Sequence, residues 1–258
     1  MLIVLSPAKN LDFETPAGTK QHSEPAFLDQ SQRLIDDLVK LAPQDICSLM
    51  GISDKLGTLN YDRFQQWQQP FTPDNAKQAL LAFNGDVYSG LAAETFKADD
   101  YRYAQKHLRI LSGLYGVLRP MDLIQAYRLE MGVRFKNDTG NTLYAFWGDM
   151  ITEALNKQLK SVKSEYLVNL ASNEYFKAVK PKLLDAKLIT PVFKDLKGDK
   201  YKVISFFAKK ARGEMAAWIL KNKVEDVAGL KKFKGAGYRY KASLSNDKEI
   251  VFTRDEPQ

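Results

Sequence analysis

The stretch YLVNLAS, Tyr166–Ser172, decides how the second half of the chain is read. It is a short apolar and aromatic run with a β-branched residue, ending in small and polar residues, and it reads as a strand. Runs of the same kind recur at LITPVFKD (Leu188–Asp195), YKVISFFA (Tyr201–Ala208), YRYKASL (Tyr238–Leu244) and EIVFTR (Glu249–Arg254). The last two are separated by SNDK, a hairpin-length turn. Helices are expected between them at Trp147–Leu159, Glu174–Leu184 and Lys210–Lys221. Far upstream, MLIVLSPA (Met1–Ala8) reads as one more buried strand, stopped at Pro7.

The first half is mostly helical by pattern. Lys9–Pro25 is polar and broken by Pro16, Gly18 and Pro25, so it is a loop. From Phe27, the residues Leu28, Leu34, Ile35, Leu38 and Leu41 share one helical face. Asp45–Trp67 reads as two short helices joined at MGIS. Further helices are expected from Pro73 (capped by Asp74) to Asn84–Gly85, from Tyr101 to Gly116, and from Pro120 to Gly132. Strands and helices are thus mixed irregularly. The expected fold is α+β: a mixed β-sheet flanked by helices in one compact unit spanning residues 1–258, with no linker marking a boundary.

Composition limits the function classes. The 258 residues are 45% hydrophobic and 11% aromatic, enough for a sizeable core. No apolar run approaches the roughly 20 residues that cross a bilayer. No basic segment followed by an apolar one opens the chain, so a cytoplasmic protein is expected. Cys47 is the single cysteine, which excludes an internal disulfide. His22 and His107 are the only histidines and lie far apart, so neither a metal site nor a cofactor is expected. Phosphate-binding, dinucleotide-binding and nucleophile-elbow motifs are absent.

The net charge of +7 is unevenly distributed. Met1–Arg128 holds 13 basic and 15 acidic residues, whereas Leu129–Gln258 holds 25 and 16. Lys177–Lys241 alone contains 18 basic and 6 acidic residues. Such a field attracts polyanions.

Three segments are candidates for contacting one. LMGISDKLGTLNYDRF (Leu49–Phe64) has the form of a helix-hairpin-helix, centred within about 44–67, in which Leu56 and Leu59 face back. Its Gly51, Ile52 and Ser53 would bring backbone N–H groups to a phosphate at a helix start, with Lys55 adjacent. In LSGLYGVLRPMDLIQAYRLEMG (Leu111–Gly132), Arg119 would stand at a helix start where the dipole disfavours a cation, which suggests work on an anion. In ISFFAKKARGEMAAWI (Ile204–Ile219), the cations Lys209, Lys210 and Arg212 fall at an expected strand-to-helix turn.

Together, LSPAKNLD, FNGDVYSGL, LSGLYGVLRPMDLIQAYRLEMG, YAFWGDMIT, LVNLASNEYF and ISFFAKKARG resemble the YaaA family of peroxide-stress resistance proteins. That resemblance implies a cytosolic bacterial protein tied to oxidative stress and DNA repair. It also implies DNA binding with little sequence preference, through a basic cleft and a helix-hairpin-helix, on an α+β fold of unusual topology. The family's blocks map to Ser6, Pro7, Ala8 and Lys9, then Arg119, Tyr127, Arg128 and Glu130, then Trp147. They continue at Asn169, Ser172, Glu174 and Tyr175 and finish at Lys209, Lys210, Arg212 and Gly213. Asn10 stands where threonine is expected.

Two functions follow as expectations. In the first, the chain binds duplex or distorted DNA: Lys9, Arg119, Arg128, Lys209, Lys210 and Arg212 neutralise phosphates, and Tyr127, Tyr175 or Trp147 stack on an unpaired base. In the second, it is an enzyme on nucleic acid or another phosphate-bearing substrate. There Lys9 would be a buried amine, Glu130 or Glu174 an acid or base, and Asn169 and Ser172 pocket groups at a strand end. No obligate protein partner is expected.

Overall fold

The computed structural model describes residues 1–255. Its centre is an eight-stranded mixed sheet. The strands are β1 (Leu2–Leu5), β2 (Leu108–Ser112), β3 (Gly116–Leu118), β4 (Tyr166–Asn169), β5 (Lys187–Lys197), β6 (Lys200–Lys202), β7 (Arg239–Tyr240) and β8 (Glu249–Arg254). Their order across the sheet is β7-β8-β5-β4-β1-β2-β3, with β6 folded back onto β5. β8, β5, β4, β1 and β2 run parallel, and β3, β6 and β7 pair antiparallel.

β1 is uniformly apolar because it is central and covered on both faces; all four of its residues are buried. Its register sets Ile3 opposite Leu108 on one side and Val168 on the other. The helices are α1 (Leu28–Leu38), α2 (Pro43–Met50), α3 (Asp54–Gln66), α4 (Asp86–Leu91), α5 (Ala98–His107), α6 (Met150–Ser161) and α7 (Ser205–Asn222), besides shorter turns. One contiguous apolar cluster runs from Met1 to Phe252.

The chain leaves β1 toward β2 on one side of the sheet and leaves β4 toward β5 on the other. The C-terminal ends of β1 and β4 therefore face a crevice between diverging connections, the place where open sheets of this kind take ligands.

Several expected elements differ. The helix expected over Tyr101–Gly116 stops at His107, and Leu108–Ser112 becomes β2, because these residues bury beside β1. The helix expected from Pro73 reduces to Ala79–Ala82. It is flanked by two-residue ladders that tie Lys77–Gln78 to Leu123–Ile124 and Phe83–Asn84 to Asn10–Leu11. Pro120–Gly132 is not helical. After Leu123–Ile124 it is irregular chain whose Gln125, Tyr127, Leu129 and Glu130 are buried. In YKVISFFA the strand ends at Lys202 and α7 begins at Ser205, so Lys209, Lys210 and Arg212 lie inside the helix rather than at its entry.

Candidate functional site

Ser6 follows β1 and Ser172 follows β4, and the two meet across the crevice. The Ser172 N–H donates to Ser6 Oγ at 2.8 Å, and the Ser6 hydroxyl donates to Ser172 Oγ at 3.2 Å. Below them the buried Tyr88 hydroxyl donates to the Ser6 carbonyl at 3.0 Å. Asn169, at the end of β4, turns its side chain back to accept the Ala171 N–H at 3.0 Å, which shapes the loop rather than facing solvent. Burial holds the Tyr88 and Tyr175 phenols well above their ordinary range, with neighbouring phenols adding to the effect, so both are neutral.

One wall of the crevice comes from the contact of α4 with α7. Two glycines permit it: a Cβ on Gly213 would fall 1.8 Å from the Val87 carbonyl oxygen, and one on Gly90 would fall 2.2 Å from that of Lys210. This approach hangs Lys209 and Arg212 over the crevice opposite Asp86. Lys209 Nζ lies 3.7 Å from Asp86 Oδ2, a loose pair. Arg212 is partly buried and has no hydrogen-bond or ion-pair partner among the described residues. Burial lowers the pKa of its guanidinium, which nonetheless remains charged at neutral pH. These groups, with Pro7, Lys9, Leu170 and Tyr175, enclose a cavity of about 430 Å³.

Lys9 stands at the mouth. Its Nζ is 3.1 Å from Glu130 Oε1, which also accepts from Arg128 Nη2 at 2.9 Å and Nε at 3.1 Å. Glu130 Oε2 is buried without a partner. Burial pushes the Glu130 carboxyl up, but the hydrogen bonds and charges of Arg128 and Lys9 more than offset it and hold it below the ordinary carboxylate range. Beyond Lys9 an open groove of about 680 Å³ runs past Glu130, Gly132 and Arg134 to the last turn of α2, Ser48–Met50, and the Gly51 that follows it. Glu174 lines both cavity and groove, and its Oε1 accepts the Gly132 N–H at 3.0 Å.

A family model described as "Peroxide stress protein YaaA" matches residues 1–244. The chain belongs to this YaaA family. Its similar relatives include UPF0246 proteins of Saccharophagus degradans (61% identical) and Teredinibacter turnerae (60%), each covering 99% of this chain and 100% of the relative. A UPF0246 protein of Cellvibrio japonicus is 57% identical over the full length of both.

Set against this YaaA framework, the residues singled out in the sequence fall into two groups. Ser6, Pro7, Ala8, Lys9, Ser172, Glu174, Tyr175, Lys209 and Arg212 converge on the cavity, Arg128 and Glu130 sit beneath its mouth, and Gly51 rims the groove. The others lie elsewhere. Arg119 stands at no helix start: its Nε donates to Asp122 Oδ1 at 2.9 Å and its Nη2 to the Glu24 carbonyl at 2.7 Å, a pairing that fastens the Ser23–Glu24 loop. Lys210 does not line the cavity, and its charge acts on Glu214, one turn further along α7. Ile52, Ser53 and Lys55 continue from Gly51 into α3 without lining the groove. Metal-ligating side chains do not group in threes among the described residues.

Three of the aromatic expectations are corrected. Trp147 is 0% exposed and donates Nε1 to the Gly113 carbonyl, so its ring belongs to the core. Tyr127 is 5% exposed and hydrogen-bonded to Ser112 at 2.6 Å. Tyr175 lines the cavity but is only 8% exposed. The Lys9 amine is not buried either; 63% of its side chain is exposed, so the desolvation required of a catalytic amine is missing. In the paired helices α2 and α3 the inward residues are Gly57, Asn60 and Phe64, whereas Leu59 is 41% exposed. Gly57 takes that place because a Cβ there would fall 2.2 Å from Cys47 Sγ.

Asn84, Asp86, Tyr88 and Arg134 were missed as site residues. The first three sit in FNGDVYSGL, whose Gly85 and Asp86 signal a turn at a helix start. Arg134 gives no local signal, since only the path of the irregular chain after β3 brings it to the groove.

Proposed function

We propose that this chain binds the sugar–phosphate backbone of DNA along the groove, with little sequence preference, as part of the peroxide-stress response for which its family is named. The supporting observation is continuity. The cavity bearing Lys209 and Arg212 and the turn at Gly51 come from opposite ends of the chain, and both open onto one trough at Lys9 and Glu174. Gly51 is in the left-handed region at φ 61°, so the turn is tight and its backbone rims the groove, while α3 beyond it opens on Asp54 and adds no anion site there. Recognition of this kind uses phosphate contacts and reads no bases.

The groove is not uniformly basic. Asp86, Glu130 and Glu174 offset part of the charge of Lys9, Arg128 and Lys209. Few phosphates are therefore neutralised, and affinity is expected to be moderate. Charge reversal provides the test. Lys9→Glu and Arg134→Glu should each weaken binding to any duplex by about tenfold, roughly 1.4 kcal/mol, in fluorescence anisotropy. Lys248→Glu, outside the groove, should change it little. Equal effects at all three positions would mean that net charge, rather than this groove, holds the DNA.

A further inference from the structure

We propose that the cavity behind Lys9 is a binding site for a phosphate monoester carried on a single nucleotide. Its volume of about 430 Å³ lies within the roughly 300–1,000 Å³ of ordinary small-molecule sites. It sits outside the C-terminal ends of β1 and β4, where the connections diverge. Tyr88 and Leu170, both buried, line it, so a recess of this size takes a strand end or a free nucleotide more readily than a passing strand.

The charge pattern selects the ligand. Lys9 is held by Glu130, and Glu174 accepts from the Gly132 N–H. Among the described residues Arg212 alone of the cavity's cations has no partner, and a half-buried guanidinium without one calls for a bidentate oxyanion. Lys209 is held only loosely, at 3.7 Å from Asp86, and can turn to the same anion. The Ser6 and Ser172 hydroxyls, already oriented by each other, add two neutral groups nearby. A terminal phosphate has the tetrahedral oxygens to use such a set. The apolar side of the cavity, at Pro7, Val87 and Tyr175, suits the attached sugar and base.

The phosphate can come from a DNA strand end, a form of the proposal that rests on the groove reading, or from a free mononucleotide. Two measurements separate these sources. The first compares gapped duplexes that differ only in a 5′-phosphate or 5′-hydroxyl at the gap, and the second titrates thymidine 5′-monophosphate against thymidine. The phosphorylated end should bind about tenfold tighter, and the monophosphate should bind where thymidine does not. In Arg212→Ala, with unchanged circular dichroism, both differences should vanish, and Ser172→Ala should reduce them. Arg134→Glu should weaken both duplexes alike and leave their ratio intact. Monophosphate binding without end preference assigns the site to free nucleotides. Arg212-dependent monophosphate binding with no duplex binding supports the cavity and overturns the groove. Equal affinity for both ends, with no monophosphate binding, overturns the proposal.

Discussion

Glu130 shows how a single carboxylate organises this site. Its Oε1 gathers Lys9 and Arg128, while its Oε2 is buried and unpartnered. The carboxyl is held below its ordinary range, so by linkage its stabilising effect is complete above the unfolded pKa and is lost as pH falls through the lower folded value. Replacing it with glutamine should cost about 1–3 kcal/mol at neutral pH, because Arg128 loses its charged partner. That deficit should shrink below about pH 4, where the wild type is losing the same term. Urea midpoints from pH 7 to pH 3 check this, and a deficit independent of pH would show that shape, not charge, was lost. In the sequence Lys9 reads as a cation for an anion site, Glu130 as a candidate acid or base, and Arg212 as a second cation for an anion site. The pairing of the first two and the isolation of the third are not visible there, because pairing depends on which distant carboxylate folds alongside. Arg119 illustrates the error: its argument assumed a helix at Pro120, and with irregular chain there its partner is simply Asp122.

At the scale of elements, the approach of α4 to α7 is what presents Lys209 and Arg212. Glycine inside a helix normally costs about 1 kcal/mol relative to alanine. At Gly213 the balance reverses, because an added methyl would meet the Val87 carbonyl 1.8 Å away. Gly213→Ala should therefore destabilise the protein by about 3 kcal/mol, at the upper end for overpacking, and weaken monophosphate binding as the helices separate. Thermal melts and titration check the two effects, and a stabilised variant would contradict the packing. Elements with strong periodicity were legible: α1 buries Leu28, Leu34, Ile35 and Leu38 as its spacing requires. The pair α2–α3 was legible through its turn, although its inward face was not, since close packing at Gly57 leaves no hydrophobic stripe to count. β2 was lost in a helix because Leu108, Ile110 and Leu111 satisfy helical spacing as readily as strand spacing. Only their position beside β1 decides between the two.

Across the whole molecule, the sequence shows how many strands the second half contains but not that three of them run parallel with β1 and β2. Register and order come from long-range packing, and the crevice between β1 and β4 follows from that order alone. The uneven charge was legible as a preference for polyanions. How far that charge converges is the central question, because the carboxylates lining the groove limit how many phosphates it can neutralise. On a duplex carrying 5′-phosphates, about three neutralised phosphates, two along the groove at Lys9 and Arg134 and one at a strand end held by the Lys209–Arg212 pair, imply a slope of log affinity against log salt near −2.7. The decisive measurement is duplex affinity by anisotropy between 50 and 200 mM salt. A loss of about 40-fold is expected, and much less in the Lys9→Glu, Arg134→Glu double variant. Affinity that ignores salt, or a slope that the double variant leaves unchanged, would contradict it.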